Sequence, residues 1–289
     1  MWIRIKQLFG KGAPRSVGLA LSGGGARGLA HIGVLKVLEQ EGIPIDYLAG
    51  TSAGGLIAAA YATGLSAHDI EDEALRLTDR RQLLALIDRR LPQRGLLAGD
   101  KLAEYLARRL GATTFDQLRV PLAVVAVDLN RSEEVVLREG AVLEAVRATI
   151  ALPGLLAPVE RGEQLLVDGG LLNNLPTDVV RQMGADVVIA VDISTDEKTV
   201  ASFAAELHQY RFVPENLIEI MEVLWRSLQV LTRASQRRIL AEAPPDLLIR
   251  PVLPVGVTVL TGLSRAAETI AAGERATREA LPALGELLR

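Results

Sequence analysis

Cysteine is absent from the 289 residues, which removes disulfides, thiolate metal sites and a cysteine nucleophile together. Aromatic residues make up only 3% although 49% of the chain is hydrophobic, so the core must be built from Leu, Val, Ile and Ala. Such a core suits helices laid on a sheet, and the length allows a sizeable one. Neither sign of charge dominates: 32 basic and 35 acidic residues are intermingled, and a net charge of -3 offers no field to gather nucleic acid. No stretch reaches the roughly 18 uninterrupted apolar residues of a membrane span. The nearest, Gly50 to Leu65, is rich in Gly, Ala, Thr and Ser and reads as a strand, a tight turn and a buried helix. No EF-hand or zinc-ligand spacing is present, so no metal is expected. His31, His68 and His208 are all the chain has of the commonest general base.

Met1 to Ser16 carries Arg4, Lys6, Lys11 and Arg15 without an acid, interleaved with Trp2, Ile3, Ile5, Leu8 and Phe9. Arg4 and Lys6 interrupt the apolar centre that a signal peptide needs. Two readings of the segment stand side by side. One is a frayed terminus; the other is an interfacial anchor with apolar groups among lipid headgroups and cations against anionic lipid. Residues 1–16 are thus read as a basic amphipathic tail and 17–289 as one domain, because no repeat, low-complexity block or long linker marks a boundary. The expected setting is cytoplasmic, with peripheral membrane contact on the anchor reading. Oligomeric state is left open.

Apolar runs and helical periodicities alternate along the chain. Val17 to Leu21 reads as a strand that ends in Ser22-Gly23-Gly24-Gly25, followed by a helix with Leu29, Ile32, Leu35 and Leu38 on one side. Tyr47 to Gly50 is a second short strand, and Ser66 with Asp69 resembles a capping box. Gly99 to Leu110 reads as a helix, Val120 to Val127 as a doubly buried strand, Val135 to Leu137 as part of a hairpin, and Ala141 to Ile150 as a helix. Leu165 to Val167 and Asp186 to Ile193 are further strands, with a helix closing over Val179 to Met183 between them. Pro214 to Ala241 is a long helix with Leu217, Ile220, Leu224 and Leu228 in register; Leu247 to Ile249 is a last strand and Ser264 to Leu288 a closing helix. The alternation implies a mostly parallel sheet covered on both faces.

Three sharp turns fall at the carboxyl ends of expected strands, where open α/β sheets place their ligands. The first, Gly23-Gly24-Gly25-Ala26-Arg27-Gly28, satisfies the dinucleotide pattern G-x-G-x-x-G. Against that reading, Asp46 precedes the next short strand instead of ending it, and another glycine turn follows at once. The second turn, Gly50-Thr51-Ser52-Ala53-Gly54, matches the nucleophile elbow G-x-S-x-G, whose flanking glycines allow backbone to approach closely. The third, Asp168-Gly169-Gly170, supplies a carboxylate. A serine hydroxyl needs a base to take its proton. The order Ser52, Asp168, His208 would serve an α/β-hydrolase triad, but His208 sits in the polar stretch Glu206 to Arg211 and reads as a surface residue. His31 reads as a packed or supporting histidine and His68 as part of a polar helix cap.

Taken together and in this order, the three turns resemble the hallmark motifs of patatin-like phospholipases. The resemblance continues through Ala148 to Val159, similar to the family's proline-containing active-site segment but with Leu155-Leu156-Ala157 where an aromatic is frequent, and reaches Asp246 to Pro251 and Ala272 to Arg275. It implies a three-layer α/β/α sandwich and a Ser52-Asp168 dyad that needs no histidine. It further implies an oxyanion hole from the Gly23 to Gly28 turn (Gly23, Gly24, Gly25, Ala26, Arg27, Gly28), with the backbone N–H groups of Gly24, Gly25 and Ala26 as donors. Gly50 and Gly54 would shape the elbow, and Gly169 and Gly170 the turn beside the base. The implied substrate is a lipid acyl ester, with no cofactor, metal or nucleic-acid partner. Arg27 is read either as a structural ion pair or as a contact to a substrate phosphate. Two alternatives stay open: transfer of the acyl group to an alcohol, and a lipid-binding regulator that keeps the fold.

Overall fold

In the computed structural model, residues 15–86, 88, 97–194, 215–258 and 261–289 are described. The strands are β1 (Val17–Leu21), β2 (Tyr47–Thr51), β3 (Leu122–Asp128), β4 (Glu133–Leu137), β5 (Val159–Arg161), β6 (Gln164–Asp168), β7 (Val187–Val191) and β8 (Leu247–Ile249). The helices are α1 (Leu29–Gln40), α2 (Ala53–Ala62), α3 (Ala67–Arg76), α4 (Arg80–Ala85), α5 (Asp100–Leu110), α6 (Val142–Thr149), α7 (Thr177–Gln182), α8 (Glu215–Glu242) and α9 (Ala266–Leu287).

β1 has no polar residue and is buried along its whole length, so it must be covered on both faces and paired on both edges. It lies between β2 and β7 in parallel register, with Leu19 opposite both Leu48 and Ile189. β3 continues the parallel sheet beyond β2, and β8 beyond β7. Antiparallel pairing is confined to the far side, where β4 and β6 attach to β3 and β5 to β6. Alternation along β1 then sorts the layers. Leu19 and Leu21 join a cluster with Val34 and Leu35 of α1 and Ala58 and Ala59 of α2, whereas Ala20 joins Val179 and Val180 of α7. The result is the three-layer α/β/α sandwich expected, with a mostly parallel sheet. α9 crosses α1 at Gly33 and Gly273, each positioned so that a Cβ would overlap backbone of the other helix.

Most expected elements appear within a few residues of their reading. The Ser66–Asp69 capping box forms at the start of α3 with both reciprocal bonds. The strand expected from Val120 begins at Leu122, after Pro121, because proline has no N–H to give to a ladder. α8 differs in which face it buries. Ile220 and Leu224 of the expected apolar row are 55% and 59% exposed, whereas Ile218, Trp225, Gln236 and Ile239 are buried. The stripe that docks includes a glutamine because its partner is a polar site, and of the expected row Leu228 lines that site beside Trp225. Met1 to Pro14 and His208 lie outside the described residues, and no described helix is long and apolar enough to cross a membrane.

Candidate active site

The three turns meet at the carboxyl ends of β1, β2 and β6. At the elbow, Ser52 adopts φ 53 and ψ -125, a conformation rarely adopted by any residue with a side chain. A Cβ on Gly50 would come within 2.6 Å of the Gly54 backbone, and one on Gly54 would overlap the Leu21 carbonyl, so both elbow glycines are required by close approach. Thr149, the last residue of α6, clamps the strained turn: its Oγ1 accepts from the Ser52 N–H at 2.8 Å and donates to the Val125 carbonyl at 2.6 Å. Thr51 Oγ1 donates to the Asn173 carbonyl at 2.8 Å, tying the elbow to the chain that follows Asp168.

Asp168 ends β6 and is 4% exposed. Burial pushes its carboxyl up to about 6; the Ser52 hydroxyl and the Gly170 N–H oppose the shift by hydrogen bonding to the charged form. The Gly170 N–H donates to Oδ1 at 2.8 Å. Ser52 and Asp168 line a single cleft with Gly23, Gly24 and Gly25, roofed by Trp225 and Gln236 of α8. No histidine lines that cleft among the described residues.

In the glycine loop the Gly23 N–H donates to the Asn174 carbonyl at 3.0 Å and the Arg27 N–H to the Gly24 carbonyl at 3.3 Å. Between them stand the amides of Gly24, Gly25 and Ala26, where a short helical turn (Gly25–Gly28) begins and runs into α1. The first N–H groups of a helix have no acceptor within it and carry its positive end. Gly28 packs against Ala53. Arg27 is 5% exposed, and its Nε donates to the Val257 carbonyl at 3.2 Å, joining the loop to the 251–258 segment. His31 is fully buried and lies behind the loop, bonded through Nε2 to the Ser22 carbonyl at 2.8 Å; burial lowers its pKa to about 4. Its burial matches the packed reading, and His68 is exposed near the start of α3.

Residues not singled out from the sequence complete the site. Asn174 Nδ2 donates to Gln236 Oε1 at 3.1 Å, and Gln236 Nε2 to Ser194 Oγ at 3.3 Å. This polar chain fixes α8 over the cleft. The only sequence signal was the pair Asn173-Asn174 close behind Asp168-Gly169-Gly170; nothing in the periodicity of α8 marks Gln236.

The profile of the family described as Patatin-like phospholipase matches residues 19–181, which include all three turns. The chain belongs to the patatin-like phospholipase family. Among curated patatin-like relatives, an uncharacterized NTE family protein of Mycobacterium tuberculosis is 40% identical over 63% of this chain and 31% of its own length. A second from the same species is 37% identical over 65% of this chain and 51% of its own. The mouse patatin-like phospholipase domain-containing protein 6 is 36% identical over 64% of this chain and 14% of its own length. The chain thus spans between a seventh and half of the relatives it matches. Among solved structures, VipD of Legionella pneumophila superposes with a TM-score of 0.53 at 15% identity, over 93% of this chain and 67% of that one. That likeness carries the fold.

Proposed function

We propose that this chain hydrolyses acyl esters of lipids through a Ser52–Asp168 dyad. The observation that carries the reading is the buried Asp168 carboxyl lining the same cleft as Ser52, whose hydroxyl helps hold the carboxyl's pKa down against burial, with no described histidine lining that cleft. A carboxyl raised to about 6 is ionised at neutral pH yet more basic than an exposed one. As the Ser52 Oγ attacks the ester carbonyl carbon, the hydroxyl proton passes to Asp168. The carbonyl oxygen becomes an alkoxide held by the N–H groups of Gly24, Gly25 and Ala26, donors fixed before the reaction starts. Collapse expels the alcohol, which takes the proton from Asp168 and leaves Ser52 acylated. Water then attacks the acyl-enzyme with Asp168 again as base, the proton passes from Asp168 to the departing Ser52 Oγ, and the free acid leaves.

Family membership supports a lipid substrate, and the elbow, loop and carboxylate support the hydrolytic chemistry. The test is labelling by a fluorophosphonate, with Ser52→Ala as control, followed by turnover of p-nitrophenyl esters, lysophospholipids and diacyl phospholipids. Labelling and turnover that vanish in a folded Ser52→Ala protein are expected. Near-normal hydrolysis by that variant would remove Ser52 from the mechanism, and absence of both labelling and turnover in the parent would favour the lipid-binding alternative.

A further inference from the structure

Exposed aliphatic side chains are unevenly spread over this molecule. Among the described residues nine large hydrophobic side chains are exposed, and seven of them lie on two segments. Ile220, Val223, Leu224, Val230 and Leu231 belong to α8, and Val252 and Val255 to the 251–258 segment. Scattered singly, such residues need no explanation; gathered, they mark a contact. Those on α8 share the side of the helix turned away from Trp225 and Gln236, which roof the cleft. Val252 and Val255 are 87% and 90% exposed, the highest values of the nine. Pro251 and Pro254 stand beside them and bring no N–H group that would need a partner away from water.

A groove separates the two segments. One wall is α8 from Arg233 to Leu240, and the other is the chain from Arg250 to Val257. Four arginines line it, Arg27, Arg233, Arg237 and Arg250, against a single carboxylate, Asp192, which pairs with Arg250 at 3.0 Å. The whole chain carries a net charge of -3, so this excess of cations is local. Arg27, Ser194, Arg233 and Gln236 also line the cleft of Ser52, so groove and cleft share a wall. Aliphatic tracts on both sides of a cationic groove match a bilayer with anionic headgroups, where apolar side chains enter the acyl boundary and arginines meet phosphate. A second copy docked here about a two-fold axis would set the same arginines against their own images. We infer that the outer face of α8 and the tip of the 251–258 segment rest on an anionic lipid surface, with the arginine groove between them turned toward the headgroups. Attachment of this kind is independent of the hydrolytic reading, because it is measured without turnover.

The test uses the full chain carrying Ser52→Ala, so that no lipid is consumed, and sucrose-loaded vesicles of phosphatidylcholine with roughly one-third phosphatidylglycerol. The protein should sediment with them, and about tenfold or more weakly with phosphatidylcholine alone. Since the chain has no cysteine, one can be introduced as Leu224→Cys, Val252→Cys or Glu41→Cys and labelled with a nitrobenzoxadiazole dye. Glu41 is exposed at the end of α1 remote from the glycine loop. Vesicles should shift the dye's emission to the blue at positions 224 and 252 and leave it unchanged at 41. Leu224→Ser with Leu231→Ser, and Val252→Ser with Val255→Ser, should each weaken binding about tenfold or more, and Arg237→Gln about fivefold. Circular dichroism checks each fold, and serine pairs on separate segments guard against the loss of one. Absence of sedimentation with the anionic vesicles overturns the inference, as does an unshifted dye at 224 or 252, an equal shift at 41, or unaltered binding by a folded serine pair. A dimer in sedimentation velocity that either serine pair splits assigns the face to a second copy and overturns it as well.

Discussion

At the scale of single residues, the proposed base is held at a cost in stability. A buried carboxyl at about 6 binds its proton more tightly folded than unfolded. Stability from this source is full below the ordinary carboxylate pKa of about 4 and is lost as pH rises through about 6. At pH 7 the folded protein thus carries an ionised carboxylate at a cost. Asp168→Asn should raise the unfolding free energy at pH 7 by on the order of 1–3 kcal/mol in urea melts, while kcat/KM falls roughly 10²–10⁴-fold. In the parent, kcat/KM should decline below about pH 6 as the base takes up its proton. His208→Ala separates the dyad from a triad: activity within about threefold is expected, and a loss comparable to that of Asp168→Asn would make the histidine the base. His31 acts in the opposite sense. Its pKa of about 4 lies below the ordinary value of 6.5, so its contribution is present above pH 6.5 and is lost as pH falls toward 4. The parent and His31→Gln should therefore diverge in stability between pH 6.5 and 4, the parent losing more. Thr149→Val would strand the Ser52 N–H, and it should cost about 1–3 kcal/mol with a loss in kcat.

At the scale of elements, β1, β2, β3, β6 and β7 were legible because each is a short apolar run stopped by glycine or by a carboxylate, whereas β5, Val159-Glu160-Arg161, offers no such run. β1, β2 and β6 each deliver their residue at a carboxyl end, and that regularity made the Gly23, Ser52 and Asp168 turns readable as one site before any geometry was known. α8 was legible as a helix but not in its rotation about its axis. Its buried stripe of Ile218, Trp225, Gln236 and Ile239 was obscured by an aliphatic row in which Ile220 and Leu224 face outward. The register is testable in urea melts. Trp225→Ala should cost about 3–5 kcal/mol, as for large core side chains, whereas Leu224→Ser should stay within about 0.5 kcal/mol. Comparable losses would mean that both rows are covered. Thr149 and Asn174 escaped the sequence reading for a different reason. Their partners, the Ser52 amide and Gln236, lie far away along the chain, and neither a threonine at the end of α6 nor the pair Asn173-Asn174 says which group it will meet.

For the whole molecule, the family profile ends at residue 181 whereas the sheet does not. β7 and β8 complete it from later sequence. A chain ended at Arg181 would keep every proposed catalytic group yet leave one edge of β1 open, and such an edge pairs with other chains. That fragment should sediment as aggregate where the full chain stays in the supernatant. The crossing of α1 and α9 at Gly33 and Gly273 carries a consequence for synthesis. The ribosome releases α1 well before α9, so the helix that lies directly on α1 does not exist while the more than 200 residues between them are being made. Until then the nascent chain holds a glycine-notched groove with nothing in it, and folding of this sheet and its helices waits on a contact of very long sequence separation. Nascent chains arrested before Ala266 should therefore remain protease-sensitive in α1, with protection arriving only once Gly273 has cleared the exit tunnel.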